Sequence, residues 1–366
     1  MTESRIRVLV VDGSSFMRKI LSDILGTDPR IEVAGTARDG DDALKKIAEL
    51  SPDVVTLDVV TLDVEMPRRD GLSTLEEIMK RNPLPVIMVS SLTQEGAQIT
   101  LRALSAGAVD FVAKPSGHIS LNMRDVSADL VAKVIAASTA RVGGRERKGI
   151  RSMVPPPALQ PAKPRLQPSL PPRAGRPEIL AIAASTGGPR ALQQVISQIP
   201  GNFPVPIVIV QHMPKDFTLS FAKRLDAMSE LDVAEGTEGM DLRPGLAVVA
   251  PGGYHMIVRR NQAGRLSCGL SDAPPLLSVK PSANIMFLSV ADELGGRAVG
   301  VILTGMGRDG ADGAAALRSK GARIIAESQE TCIVYGMPKS AVELGVVDEL
   351  LPLYSIPEAM IRSVRE

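Results

Sequence analysis

The stretch "EILAIAASTGGPRALQQVI", residues 178–196, sets the fold of the half of the chain in which it lies. Ile179 to Ala184 is a short apolar run without a charge, as a parallel strand buried on both faces requires. Ser185-Thr186-Gly187-Gly188 then turns the chain, and Pro189 opens "PRALQQVISQI", whose apolar residues have helical spacing. Strand, glycine turn and helix are the repeating unit of a doubly wound α/β sheet. A serine at that junction stands above the sheet edge, where free N–H groups of the helix start point at whatever it attacks. The stretch is not GxSxG. Alone it leaves three readings open: a nucleophile, a phosphate-binding turn and a helix cap.

The alternation continues outward. "VPIVIVQH", "GLAVVAP", "HMIVRR", "RAVGVILTG" and "ARIIAES" are further candidate strands, with helical "FTLSFAKRLDAM" and "SANIMFLSVADELG" between them. The first 125 residues show the same pattern, from the strand "RVLVVD" and helix "SFMRKILSDIL" to the strands "PVIMVSS" and "DFVAKP". The pattern stops near Ala140. Nine prolines fall between Val154 and Pro177, and no acid occurs between Arg147 and Pro177. Such a segment buries too little apolar surface to order itself and reads as a semi-rigid linker. We therefore expect two doubly wound, mainly parallel-sheet domains, 1–125 and 178–366, joined by a helical tail and Pro-rich linker over 126–177.

Composition narrows the function. A formal charge of +1 in 366 residues gives no basic field for nucleic acid, and nine aromatics without Trp give no base-stacking platform. No run approaches the ~18 apolar residues of a membrane span, and the start lacks a secretory signal, so a cytoplasmic protein is expected. Two cysteines, Cys268 and Cys332, make no disulfide framework and read as small buried hydrophobes.

A serine nucleophile needs a base, and three histidines exist. His118 lies near the linker, and His255, in "PGGYHMIV", reads as a structural or rim residue. His212 ends the strand "PIVIVQH" at the same sheet edge as Ser185, which makes it the best general base. The imidazole needs an acid to hold its tautomer. Of Asp309 and Asp312 in "ILTGMGRDGADG", Asp309 follows the strand directly, while Asp312 reads as a helix cap. Gly305, Gly307 and Gly310 in the same stretch form GxGxxG, with Glu327 beyond it, a near match to a dinucleotide fingerprint. Asp309 would put a carboxylate where the pyrophosphate sits, and that reading leaves Ser185 and His212 without a role.

Near the amino terminus, strand ends carry Asp12, Ser90 and Lys114 together with an aspartate of the doubled segment "DVVTLDVVTLDVEMP", residues 53–67. Two carboxylates would bind Mg²⁺ through oxygens, and one could accept a phosphoryl group with Ser90 and Lys114 stabilising its charge. "VVDGSSFMRK", "VVTLDVEMPRRDG", "MVSS" and "FVAKP" resemble the receiver domain of bacterial response regulators. The resemblance implies Asp12 and the acceptor aspartate as metal ligands. It also shows a departure: Gly13 replaces a second acid, which should weaken Mg²⁺ binding. Asp58 keeps the upstream family spacing and Asp63 the downstream one. A five-residue slip is odd, so exchanging the copies would reverse which side chains face each layer. We expect Asp63 as the acceptor, because insertions are best tolerated away from the site, with Asp58 as the alternative.

"AIAASTGGP", "IVQHMP", "APGGYHM", "ILTGMGRDGADG" and "VYGMPKSA" resemble the chemotaxis response-regulator protein-glutamate methylesterase family along essentially the whole chain. The resemblance implies Ser185 as nucleophile, His212 as base and Asp309 as its orienting acid, with backbone N–H groups near Thr186 and Met306 as oxyanion donors. It implies demethylation of glutamate methyl esters on a chemoreceptor helix and deamidation of receptor glutamines, with no metal for hydrolysis. A histidine kinase would phosphorylate the receiver, which covers the active site until then. Asn284 stands where the family usually has aspartate, a departure expected to bear on substrate contact. The rival class is a non-catalytic receptor-binding regulator with a degenerate receiver.

Overall fold

The structure, a computed structural model, describes residues 5–50, 59–91, 93–114, 122–140, 142 and 175–365. The first copy of the doubled segment through Asp58, His118, and the Pro-rich stretch up to residue 174 lie outside the described residues.

The first body runs β1 (Ile6–Val11), α1 (Ser15–Leu25), β2 (Ile31–Ala37), α2 (Gly40–Leu50), β3 (Val59–Asp63), α3 (Gly71–Arg81), β4 (Val86–Ser90), α4 (Gln94–Ala106), β5 (Asp110–Ala113) and α5 (Asn122–Ser138). Its sheet is parallel in the order β2-β1-β3-β4-β5. β3 and β4 are buried at every position, so helices must cover both faces. β3 is the second copy of the doubled segment, and Val8 to Val11 of β1 pair with Val59 to Leu62. α5 buries Leu130, Val134 and Ala137 among Val8, Val10, Val89 and Val112, so this body extends past residue 125.

The second body runs β6 (Ile179–Ala184), α6 (Gly188–Ile196), β7 (Ile207–Gln211), a 3-10 turn (Lys215–Phe217), α7 (Thr218–Asp226), β8 (Asp232–Glu235), β9 (Leu246–Val249), β10 (His255–Arg260) and β11 (Leu266–Ser271). α8 (Ala283–Leu294), β12 (Ala298–Ile302), α9 (Ala311–Ser319), β13 (Arg323–Glu327), α10 (Met337–Glu343), β14 (Glu349–Leu351) and α11 (Ile356–Ser363) complete it. Seven parallel strands lie in the order β14-β13-β12-β6-β7-β9-β8. The chain starts at β6, winds one way through β7 to β9 and then returns to β12 on the other side. The carboxyl ends of β6, β7 and β12 therefore border the crevice where such sheets bind ligands. β10 is not a strand of this sheet. It pairs antiparallel with β11 as a separate hairpin, because the five residues 261–265 are too short for a parallel crossover.

Two devices shape the crevice. Gly187 has φ +79°, and a Cβ there would lie 2.7 Å from Cβ of Ile333; a Cβ on Gly188 would lie 2.1 Å from Gln211 Oε1. No side chain fits at either position, so the turn after β6 passes hard against its neighbours. The bodies also share apolar contact: Phe111 of β5 stacks on Phe217 with centroids 4.5 Å apart, and one buried cluster runs from Leu104 and Phe111 into Leu192 and Phe221.

At the end of β13, Glu327 is fully buried. Its carboxylate accepts from Thr304 N at 2.8 Å and from the Thr331 hydroxyl at 2.9 Å. Thr304 in turn accepts Ser185 N at 3.1 Å through its carbonyl and donates its hydroxyl to Thr186 O at 3.0 Å. Burial pushes the Glu327 carboxyl above the usual range, against the lowering effect of those donors. A raised acid favours folding below its ordinary value of 4.5 and loses that advantage as pH rises above it. Glu327→Gln keeps an acceptor for Thr304 and does not titrate. Thermal melts should therefore show the variant level with wild type at pH 4 and higher at pH 8, by about 2–4 °C for each kcal/mol relieved. A wild type that is the more stable at pH 8 would contradict this placement of charge.

Candidate active site

Ser185 follows β6, His212 follows β7 and Asp309 follows β12, and the three line one cleft of about 420 Å³. His212 N donates to Ala184 O at 3.1 Å, which sets the histidine beside the Ser185 turn. His212 Nε2 meets Asp309 Oδ2 at 2.8 Å, so Nδ1 is the ring nitrogen left to serve as base. Ser185 is half-buried, and no hydrogen bond joins its hydroxyl to the imidazole among the described residues. Hydrolase sites often hold this pair loose until substrate closes it. Gly305 brings the β12 loop against the serine: a Cβ there would lie 2.8 Å from Ser185 Cβ.

Asp309 is the most heavily bonded group of the set. It sits at the start of α8 and accepts from the Ser282 hydroxyl at 2.7 Å, Ala283 N at 2.6 Å and Asn284 N at 3.0 Å, besides His212. Burial pushes its carboxyl up, but these hydrogen bonds and the adjacent imidazole outweigh burial and hold it below the ordinary carboxylate range. The helix dipole adds to that effect. Asp309 is thus a fixed anion able to orient a neutral imidazole and stabilise a charged one.

Sequence reasoning missed this cradle. The signal was present in "PSANIM", where Ser282 before a helix marks an N-cap. Asn284 does not bear on substrate contact as its departure from the family led us to expect. It is buried beneath Asp309, and its Oδ1 accepts from Gly310 N at 3.0 Å and Gly313 N at 2.8 Å, which fixes the glycine turn. Asp312 does not cap α9 either. Gly310 is the N-cap, and Asp312 pairs with Arg308 at 2.7 Å on the surface. His255 is buried and structural, accepting Ser282 N at Nδ1 and meeting Pro274 O at Nε2.

Thr186 and Met306 line the same cleft, and the backbone N–H of neither donates to another described residue. Two free donors beside a nucleophile can stabilise an oxyanion. The glycines of GxGxxG have other duties: Gly305 abuts Ser185, Gly310 caps α9, and Glu327 is buried among threonines. The dinucleotide reading has no support here.

In the first body, Asp63 ends β3 and Lys114 follows β5, with Nζ 2.6 Å from Asp63 Oδ1 and 3.7 Å from Asp12 Oδ2. Burial pushes the Asp63 carboxyl up; Lys114 opposes this and the Asp12 charge adds to it. Asp12 Oδ2 is buried and accepts no hydrogen bond. One lysine thus faces two buried carboxylates with an orphaned oxygen, a donor set short of positive charge that fits a hard divalent cation. A Cβ on Gly13 would pack 3.2 Å from Pro67 Cδ and 3.8 Å from Glu65 O, at the edge of the same site. Ser90 ends β4 beside Asp63, whose register partner is Val89, and its hydroxyl donates to Ser91 O and Gly96 O, both at 3.3 Å. Asp58 is outside the described residues.

The two bodies meet at the cleft itself. The Thr186 hydroxyl donates to Asp110 Oδ2 of β5 at 2.5 Å, a buried bond one residue from Ser185. Lys133 of α5 lies 3.8 Å from Asp110 and 3.1 Å from Asp129, and all three line the cleft. Ser105 of α4 donates to Gln193 Oε1 at 2.9 Å and accepts from Arg224 at 2.9 Å.

Residues 180–360 match the family model for the CheB methylesterase, and residues 8–124 match that for the response regulator receiver domain. A protein-glutamate methylesterase/protein-glutamine glutaminase of Symbiobacterium thermophilum is 51% identical, across 99% of this chain and 98% of that protein. One of Pyrococcus abyssi is 47% identical, across 100% of this chain and 95% of that protein. The crystal structure of the Thermotoga maritima CheB methylesterase catalytic domain matches at a TM-score of 0.50 and 42% identity, covering 51% of this chain and 99% of that one. A receiver domain followed by a CheB methylesterase domain, with relatives about half identical along the whole chain, makes this chain a member of the protein-glutamate methylesterase/protein-glutamine glutaminase family.

Proposed function

We propose that this chain removes methyl groups from glutamate γ-methyl esters of chemoreceptors, and converts receptor glutamines to glutamate, under control of receiver phosphorylation. The observation that carries the reading is the convergence of Ser185, His212 and Asp309 on one cleft, with the 2.8 Å imidazole–carboxylate bond already formed. His212 Nδ1 takes the Ser185 proton as Oγ bonds to the ester carbon, and Thr186 and Met306 N–H groups bear the oxyanion. The imidazolium returns its proton to the departing methoxide, and methanol leaves. Water then loses a proton to His212 while attacking the acyl-enzyme, and Ser185 is regenerated with a free glutamate. With glutamine the leaving group is ammonia and the second half is the same. Asp309 stays ionised throughout, which suits its depressed carboxyl.

Regulation falls to the first body. A histidine kinase would donate the phosphoryl group to Asp63; Asp12 and Asp63 would hold Mg²⁺, which when bound neutralises charge on the incoming group. Asp110 begins the strand that Lys114 follows, so the phosphoacceptor site and the Thr186 hydroxyl lie at opposite ends of one strand. A shift of β5 or α5 on phosphorylation would free Thr186 and open the cleft. The reading places the protein in the cytoplasm, and no described helix is long and apolar enough to cross a membrane.

Methanol released from methylated receptor membranes should fall to background in Ser185→Ala, at least about 10³-fold, and on the order of 10⁴-fold in Asp309→Asn. Equal release by wild type and Ser185→Ala would end the hydrolase reading. Acetyl phosphate with Mg²⁺ should label wild type and Asp58→Asn and stimulate methanol release, with both effects lost in Asp63→Asn. Label that survives in Asp63→Asn and is lost in Asp58→Asn reverses the assignment.

A further inference from the structure

The receiver forms one wall of the cleft, and residues 277–280, between β11 and α8, form another. That second wall ends in a tight turn. Leu276 N donates to Val279 O at 3.2 Å and Val279 N to Leu276 O at 3.1 Å, and Leu277 and Ser278 between them have φ of +52° and +64°. Two consecutive positive φ values in a two-residue loop are the type I′ arrangement, which Asn-Gly and Gly-Gly adopt readily. Leucine is poorly suited to that backbone, and serine only slightly better. Strained residues persist where surrounding structure over-determines them, commonly at ligand clamps.

The base of the turn is held in that way. Lys280 Nζ bonds Asp272 Oδ1 at 2.7 Å and Asp272 O at 3.1 Å, and lies 5.9 Å over the Tyr254 ring. His255 Nε2 meets Pro274 O at 3.1 Å. The tip is only half covered in return. Leu277 is 51% exposed with the receiver in place, beside Leu276 at 38% and Tyr254 at 39%. A turn that served folding alone would carry Asn-Gly and would not show a leucine to water at the mouth of a reactive cleft.

We propose that the Leu277–Ser278 turn is a recognition element for the protein substrate: Leu277 packs on the apolar flank of the receptor helix whose glutamyl ester enters the cleft. The inference rests on the esterase reading and adds to it the means by which a helix is selected over a small ester. An α-helix is about 10 Å across, and the ester must reach Ser185 at the bottom of the cleft. The helix carrying it therefore lies along the rim that Leu277 forms. Apolar residues three and four positions from the esterified glutamate share its face and meet that rim. Of the exposed leucines at this edge, Leu277 and not Leu276 belongs to the cleft wall, so the contact is continuous with the catalytic site.

The test uses the full chain with acetyl phosphate and Mg²⁺, comparing wild type, Leu277→Asp and the double variant Leu277→Asn/Ser278→Gly. The double variant relieves the strained backbone and should raise Tm by about 2–4 °C. On methylated receptor membranes both variants should lose about tenfold in kcat/KM, carried by KM rather than kcat. The loss on p-nitrophenyl acetate, which is too small to span from Ser185 to the turn, should be about tenfold smaller. Unaltered KM on membranes, or equal losses on both substrates, overturns the proposal. Binding separates it from the esterase reading. In a Ser185→Ala background, Leu277→Asp should reduce co-sedimentation with methylated receptor membranes whether or not wild type releases methanol. Equal co-sedimentation overturns the proposal; absence of methanol release alone overturns only the esterase reading.

Discussion

The bond between Asp309 and His212 is the constraint on which the catalytic half depends. A carboxylate taken out of water is costly unless donors replace its hydration. Here four donors do so, from Ser282, Ala283, Asn284 and His212. Three of them come from the start of α8, so the helix is fixed to the loop after β12 by the same anion that holds the His212 imidazole. Asn284 then reaches back to Gly310 and Gly313, closing the glycine turn that presents Asp309. Fold and chemistry are one network here. Removing Asp309 would cost the imidazole its partner and leave helix-start N–H groups unpaired.

Much of this was legible in the chain. Uncharged β-branched runs such as Ile207 to Val210 are unambiguous when strands are buried on both faces, and the serine, histidine and aspartate each follow such a run. Charge and residue type then singled out Ser185, His212 and Asp309, which line one cleft. What stayed hidden depends on contacts between segments distant in sequence. No local pattern distinguishes Asn284 as a buried acceptor for the Gly310 turn from a residue that faces substrate. The hairpin of β10 and β11 was half seen, because "HMIVRR" has strand character and only its partner determines the sheet.

The two copies of the doubled segment have identical strand propensity, and the second is paired on both sides, with β1 and β4. Val59 to Asp63 takes the place in the sheet, and its terminal carboxylate comes to Lys114. Gly71 helps fix the register from below: a Cβ there would lie 2.1 Å from Asp63 O, so the loop after β3 returns tightly against the strand end. A residue larger than glycine at 71 would displace the acidic site itself. The reading of this region therefore rests on steric closure around the strand end more than on motif spacing.

Cys268 and Cys332 are both buried and free, and burial pushes both thiols up, Cys268 to about 12. Since the thiolate is the reactive form, neither sulfur competes for alkylating reagents at neutral pH while the chain is folded. The natural sequence is consequently its own cysteine-silent background. Spin labels or fluorophores attached to single new cysteines on α1 and α7 would report the separation of the two bodies directly, with no native residue replaced to make room for them.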